Sequence, residues 1–289
     1  MSKVFLCDGH NLAFRAFYGI RELNRSDGFP TNMIHGWLRS FWRLEDDFKP
    51  DDIWVFFDLG GCPQREKILP QYKSNRGSPP EGFVEQLEWV KKLSKSLGYG
   101  TGEAEGREAD DLIAAKVEEL KGNHELVIVS ADKDLAQLIE PGVCQLLPPP
   151  TANPRLGWRM LDEKGVVEKF GVKSTQILDY LSIIGDQSDN IPGLQGVGPK
   201  TAVKWLQAWD NLEELIANAG RVSPKRFCSM IYEKRDLLLR NREIIKLDSS
   251  TFDGGTAPSL PNTREICEIL KIMEMSKSIE EVKKRYNIV

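Results

Sequence analysis

Three short apolar runs, each followed within two residues by an acid, constrain this chain more than any other feature. Residues 3–7 read Lys-Val-Phe-Leu-Cys and end at Asp8, residues 53–57 read Ile-Trp-Val-Phe-Phe and end at Asp58, and Leu126 to Ser130 is followed by Asp132. Runs this short, rich in β-formers, read as buried parallel strands. Between the first two, Met33, Ile34, Trp37, Leu38, Phe41, Leu44 and Phe48 recur at helical spacing and stop before Pro50, which predicts a crossover helix. A second helix over 107–121 precedes the third strand. The rhythm predicts an α/β fold with a central, mostly parallel sheet and helices on both faces. Ligands of such sheets sit beyond the carboxyl ends of the strands, where Asp8, Asp58 and Asp132 all fall.

Residues 64–100 are long for a plain connection. A stretch punctuated by Pro70, Gly77, Pro79, Pro80 and Gly82 leads into a mixed-charge helical segment from Phe83 to Leu97, which reads as a functional excursion, a lid or arch. Pro148-Pro149-Pro150 and the following Thr-Ala-Asn-Pro mark a break. The expected division is therefore an α/β unit over 1–150 and a mostly helical part over 151–289. Five scattered cysteines without a Cys-x-x-Cys pair, and only three histidines, disfavour zinc and a disulfide framework. No apolar run is long enough to cross a bilayer and no secretory leader is evident, so a cytoplasmic, membrane-free protein is expected.

Three polar clusters carry the candidate chemistry. Glu108-Ala-Asp110-Asp111 opens an apolar-periodic helix, so that Glu108 and Asp111 share a face while Asp110 lies about 100° round. Asp132 and Asp134, spaced i, i+2 after a strand, point the same way. Asp186 and Asp189 lie in the polar turn Gly185-Asp-Gln-Ser-Asp-Asn-Ile-Pro192. Taken singly, each cluster is also what helix capping or an Asx-rich loop produces. Together they offer hard oxygen ligands and no soft ones, which suits Mg²⁺ or Mn²⁺, and hydrolysis of a phosphodiester with two such ions needs many carboxylates. The net charge of −4 does not exclude nucleic acid, because setting these acids aside turns the remaining balance positive.

Downstream, Gly193-Leu-Gln-Gly196-Val-Gly198-Pro199-Lys200-Thr201 runs into a helix. Glycines permit close backbone approach, Pro199 fits a first helical turn, and free N–H groups at a helix start favour a phosphate. This reads as a hairpin between helices, over 185–208, that grips a duplex backbone without reading bases.

From Phe5-Leu-Cys-Asp8-Gly-His-Asn11 through Phe57-Asp58, Pro70-Gln-Tyr72-Lys73-Ser-Asn-Arg76, Glu108-Ala-Asp-Asp111, Asp132-Lys-Asp134 and Gly185-Asp-Gln-Ser-Asp-Asn-Ile-Pro-Gly193 to Gly196-Val-Gly-Pro-Lys200, the chain resembles the flap endonuclease and 5′-3′ exonuclease family. The bacterial and phage enzymes and the 5′ nuclease domain of bacterial DNA polymerase I are the members it is most similar to. The resemblance implies a PIN-like nuclease fold with a helical arch and a helix-hairpin-helix DNA-binding region. It implies a metal site of Asp8, Asp58, Glu108, Asp110, Asp111, Asp132, Asp134, Asp186 and Asp189, holding two or more Mg²⁺ ions. It implies that Lys73 and Arg76 act on the scissile phosphate, that Tyr72 stacks on a terminal base, and that Arg15, Arg65, Gly196, Gly198 and Lys200 contact DNA. A K⁺ ion at the hairpin and an RNA–DNA hybrid substrate come with the same resemblance.

The expected activity is hydrolysis of DNA near junctions of single strand and duplex, in replication and repair, by a monomer. Lysines that many relatives carry just after the Asp58 position are replaced here by Leu59-Gly-Gly-Cys-Pro63, so no lysine contact with DNA is expected there. Residues 221–248 hold eight Lys or Arg against four acids and offer a face for duplex backbone. A noncatalytic branched-DNA binding module would not need the complete acidic set, and a PIN-type ribonuclease would lack the arch and hairpin. His10, His35 and His124 are too few and dispersed to be assigned a role, and Trp37, Trp42, Trp54, Trp205 and Trp209 are assigned to packing.

Overall fold

In the computed structural model, which describes residues 1–150 and 153–287, the three apolar runs are strands of one sheet. They are β1 (Lys3–Asp8), β2 (Asp52–Phe56) and β4 (Glu125–Val129), joined by β3 (Gly100–Gly102), β5 (Val143–Leu147) and β6 (Arg159–Leu161) in the order β3-β2-β1-β4-β5-β6. The first five are parallel and β6 is antiparallel to β5. Cys7 is in register with both Val55 and Val129, so Asp8, Asp58 and the residues after Val129 emerge side by side at one end of the sheet.

Strand alternation divides the side chains between two layers. Phe5, Cys7, Val55, Val127 and Val129 face α1 (Gly9–Gly19), α2 (Asn32–Phe48) and α4 (Phe83–Ser96). Val4, Leu6, Phe56, Leu126 and Ile128 face α5 (Ala109–Leu120). The predicted crossover helix is α2, whose Trp37, Leu38 and Phe41 are fully buried, and Trp42 and Trp205 are buried as the spacing predicted.

Two expectations are corrected. The 64–100 segment is not one long arch. After α3 (Pro63–Ile68) and a compact turn over residues 70–75, α4 lies in the core, burying Phe83, Val90 and Leu93. Its mixed charge belongs to its outer face, whereas Ile68, Leu69 and Tyr72 before it pack with the helical cluster described below. The sheet also continues past residue 150, because β6 pairs Leu161 with Gln145 and Arg159 with Leu147. Thr151 and Ala152, part of the expected break, lie outside the described residues.

Beyond β6 a second apolar cluster is built from helices α6 (Glu163–Phe170), α7 (Ile177–Ile184), α8 (Pro199–Trp209), α9 (Leu212–Ala217), α10 (Cys228–Glu233) and α11 (Arg235–Ile245). Finally α12 (Thr263–Ile272) and α13 (Ser276–Arg285) return to the first layer, where Ile266, Ile269, Leu270 and Val282 join its core. Among the described residues no helix is long and apolar enough to cross a membrane.

Candidate metal and nucleic-acid site

At the carboxyl end of β1, Asp8 caps α1 by accepting the Asn11 N–H at 2.9 Å, and its second oxygen accepts the Ser130 hydroxyl at 2.8 Å. Asp58, at the end of β2, accepts the Ala109 N–H at the start of α5 at 2.7 Å. That bond ties two strand-end loops together and brings Asp110 to the same place. Asp132 follows β4, held where Ser130 Oγ receives its N–H at 3.0 Å, and it accepts the Asp134 N–H at 2.9 Å.

The remaining acids arrive from the helical part. Gly185 has φ +74°, and a Cβ there would meet the Gly193 nitrogen at 2.3 Å and the Ile191 carbonyl oxygen at 2.5 Å. Only glycine lets the short hairpin of β7 (Gly185–Asp186) and β8 (Ile191–Pro192) close so tightly. It carries Asp186 and Asp189 to Asp134, where carboxylate oxygens of the three lie within 4.8 Å of one another.

Electrostatics confirm the crowding. Burial, with Asp58 and Asp132 adding, pushes the Asp8 carboxyl up to about 7. Burial followed by neighbouring acids holds Asp110 and Asp134 well above the ordinary carboxylate range and raises Asp132. Asp186 goes the other way: burial opposes ionisation, but hydrogen bonds from Lys133 and Ser188 outweigh it. One oxygen of Asp134, Oδ1, is buried with no hydrogen-bond donor. Unsatisfied buried oxygens and gathered anions are what a bound divalent cation would relieve, and an all-oxygen set fits a hard ion such as Mg²⁺.

Two of the nine predicted ligands are placed differently. Asp111 turns away from the strand ends: its oxygens accept from Arg65 Nη1 and Nη2, both at 2.7 Å, from the Glu108 N–H and from the Asp248 N–H. All its lone pairs are used, so it is a structural anchor in this arrangement. Glu108 stands between, taking Arg65 Nη1 at 3.0 Å, the Tyr72 hydroxyl at 2.9 Å and Lys73 Nζ at 2.5 Å.

Arg65 of α3 is only 7% exposed and donates also to the Ile244 and Lys246 carbonyls, so it fastens α5 to the end of α11. Tyr72 is buried with its hydroxyl on Glu108 and Asp189 and with Lys73 Nζ 5.0 Å from its ring centroid. Arg15 donates to the Pro149 carbonyl and lines a cavity of about 650 Å³ with Tyr18, Arg39 and Trp42, apart from the acidic cluster.

Lys73 and Arg76 both pair with acids of the cluster. Lys73, at φ +54°, extends Nζ to Glu108 and lies 3.8 Å from Asp189, and Arg76 Nη2 reaches Asp189 Oδ1 at 2.5 Å. The Gly196 turn has φ +74°, Gly198 caps α8 with Pro199 in its first turn, and Lys200 is exposed. Among the described residues Lys200 has no ion pair with the acidic cluster. Three neighbours went unassigned in the sequence. His10 accepts the Asp58 N–H on Nδ1 at 3.0 Å, Ser130 holds Asp8, and Lys133 holds Asp186 at 2.6 Å. His10 sits two residues past a strand-end acid, a signal that a count of histidines overlooks.

A sheet whose strand ends gather oxygen ligands, with cations reaching in beside them, defines a phosphodiester-cleaving nuclease of the α/β class. Residues 3–171 match the model of the 5′-3′ exonuclease N-terminal resolvase-like domain, and residues 172–253 match that of the 5′-3′ exonuclease C-terminal SAM fold. The chain belongs to the 5′-3′ exonuclease family. It is 32% identical to a 5′-3′ exonuclease of Aquifex aeolicus, over 98% of this chain and 96% of that one. It is 37% identical to the thermostable DNA polymerase I of Thermus thermophilus over 77% of this chain, which spans 26% of the polymerase. The fold is shared with the T5 5′-exonuclease bearing divalent zinc ions, at TM-score 0.72 and 22% identity over 97% of this chain and 99% of that one. It is shared also with the catalytic core of Rad2 in complex with DNA substrate, at TM-score 0.64 and 15% identity over 98% and 91%.

Proposed function

We propose that this nuclease is a divalent-metal-dependent, structure-specific enzyme that cuts DNA near a 5′ single-strand/duplex junction, as a flap endonuclease and 5′-3′ exonuclease. The observation that carries this reading is the meeting of Asp8, Asp58, Asp110, Asp132, Asp134, Asp186 and Asp189 with Lys73 and Arg76 at one end of the sheet. Asp8, Asp58, Asp110 and Asp132 would hold one Mg²⁺ ion, and Asp134, Asp186 and Asp189 a second. When bound, the ions supply activation of water and neutralisation of charge at the phosphate.

The chain's own residues do the rest. Lys73 and Arg76 now neutralise Glu108 and Asp189; an entering phosphate competes for the same cations, which then stand beside the charge that develops during cleavage. The 70–76 turn is fixed on the hairpin of β7 and β8, since the Lys73 N–H donates to the Asp189 carbonyl at 3.0 Å and Asn190 Nδ2 to the Gln71 carbonyl at 2.8 Å. The cations therefore keep their distance from the acids. The Gly198 to Lys200 helix start supports a grip on duplex phosphate, with Lys225 and Arg226 close by, because Phe227 next to them packs on Trp205 of α8 at 5.5 Å between ring centroids.

The test is a cleavage panel of 5′-labelled flap, nicked, gapped and RNA-primed duplexes with and without Mg²⁺. Mg²⁺-dependent release of a short 5′ product from the flap is the expected result. Equal cleavage in EDTA, or cleavage at random internal positions, overturns the proposal.

A further inference from the structure

The acids of the site differ in their counter-charges. Among the described residues, Asp8, Asp58, Asp110 and Asp132 have no lysine or arginine within ion-pair distance; the one basic group paired with any of them is His10, 3.5 Å from Asp58. The triad of Asp134, Asp186 and Asp189 is already occupied by cations. Lys133 Nζ lies 2.6 Å from Asp186 Oδ2 and 4.0 Å from Asp134 Oδ1, and Arg76 holds Asp189 at 2.5 Å.

An ammonium bonded to one of three converging carboxylates and 4.0 Å from a second competes with a cation that would be coordinated by all three. Its hold is incomplete, because Asp134 Oδ1 remains without a hydrogen bond. It is also reversible: the Lys133 side chain is 33% exposed, and a flexible four-carbon stem can carry its charge out to water.

We infer that Lys133 is a resident counter-cation that competes with the divalent ion for the Asp134–Asp186–Asp189 triad, so that the two halves of the acidic site fill unequally. The half at Asp8, Asp58, Asp110 and Asp132 takes its ion first. The triad takes one only when Lys133 swings away, and Arg76 is released as substrate phosphate draws it off Asp189. Lys133 thereby delays full loading of the site until DNA is present. This rests on the metal-site reading given above.

The test is titration of the full chain with Mn²⁺, without DNA, following free Mn²⁺ by electron paramagnetic resonance and heat by calorimetry. Wild type is expected to show a tight and a weaker class of site. Lys133→Gln removes the charge and should strengthen the weaker class by about tenfold or more while leaving the tight class within about twofold. Lys133→Arg should restore weak binding, and Asp186→Asn should abolish the weaker class alone. An unchanged weaker class in Lys133→Gln, or both classes moving together, overturns the role of Lys133. If neither Asp110→Asn nor Asp186→Asn alters the titration, the metal-site reading itself fails and the inference falls with it.

Discussion

A buried carboxylate cluster without its metal ion should be less stable at high pH, and Asp8 gives the magnitude. Its carboxyl is pushed from the ordinary 3.8 up to about 7 by burial first and by Asp58 and Asp132 after it. For an acid whose folded value is raised, the cost to stability is fully present above the folded value and disappears as pH falls toward the unfolded one. Between pH 8 and pH 5 the folded protein takes up a proton at Asp8 while the unfolded chain does not, which amounts to about 3 kcal/mol at roughly 1.4 kcal/mol per pH unit. Asp110, Asp132 and Asp134 shift in the same direction, but the first proton relieves the others, so the four contributions do not add. His10 and His35, held low by burial, oppose the trend below the usual histidine value. The depressed acids Asp186, Glu213 and Asp248 titrate below this window. Thermal unfolding in EDTA should therefore show Tm rising by roughly 5–10 °C from pH 8 to pH 5, at about 2–4 °C per kcal/mol. Saturating Mg²⁺ at pH 8 should raise Tm as well, and Asp110→Asn should raise the Tm in EDTA while abolishing cleavage. A Tm in EDTA that falls steadily from pH 8 to pH 5 would refute the electrostatic account of the site.

Other substitutions separate chemistry from support. Lys73→Ala should lower kcat by about 100-fold or more with a much smaller change in DNA Kd, measured by single-turnover cleavage and by binding in Ca²⁺; equal losses in both would assign it to binding alone. Arg65→Met leaves Glu108 and Asp111 buried without their shared cation and should cost about 3–5 kcal/mol, read from the midpoint of guanidinium unfolding, whereas an unchanged midpoint with weakened DNA binding would restore the contact role expected from sequence. Lys200→Ala should weaken duplex binding uniformly across sequences and reduce the slope of log K against log salt by about 1, with single-turnover cleavage at saturating enzyme unaffected.

What could be read in the sequence followed from periodicity, and what could not followed from packing across elements. A parallel sheet aligns its strand ends, so Asp8, Asp58 and Asp132 could be placed together before any coordinate was known. Helical spacing likewise separated Asp110 from the face shared by Glu108 and Asp111. It could not say which face meets the metal site, because that depends on Arg65 arriving from α3 and on carbonyls from α11, nearly 180 residues further along the chain. The 83–97 segment read as part of an arch because its charges are visible in sequence, while the burial of Phe83, Val90 and Leu93 depends on α2 and α12 lying against it.

The same limit explains why four basic residues beside acids look alike in sequence yet do different work. Arg65 has 9% of its side chain exposed and bonds bidentately to Asp111; its planar fork and buried position make it a permanent counter-ion. Lys73, Lys133 and Arg76 have side-chain exposures of 22%, 33% and 52%, and each can exchange a carboxylate for another anion or for water. A site that must accept metal ions and then phosphate needs both kinds. The fixed cation keeps Glu108 in place through every step. The movable ones shield the empty cluster and then give up their partners as the ions and the substrate arrive.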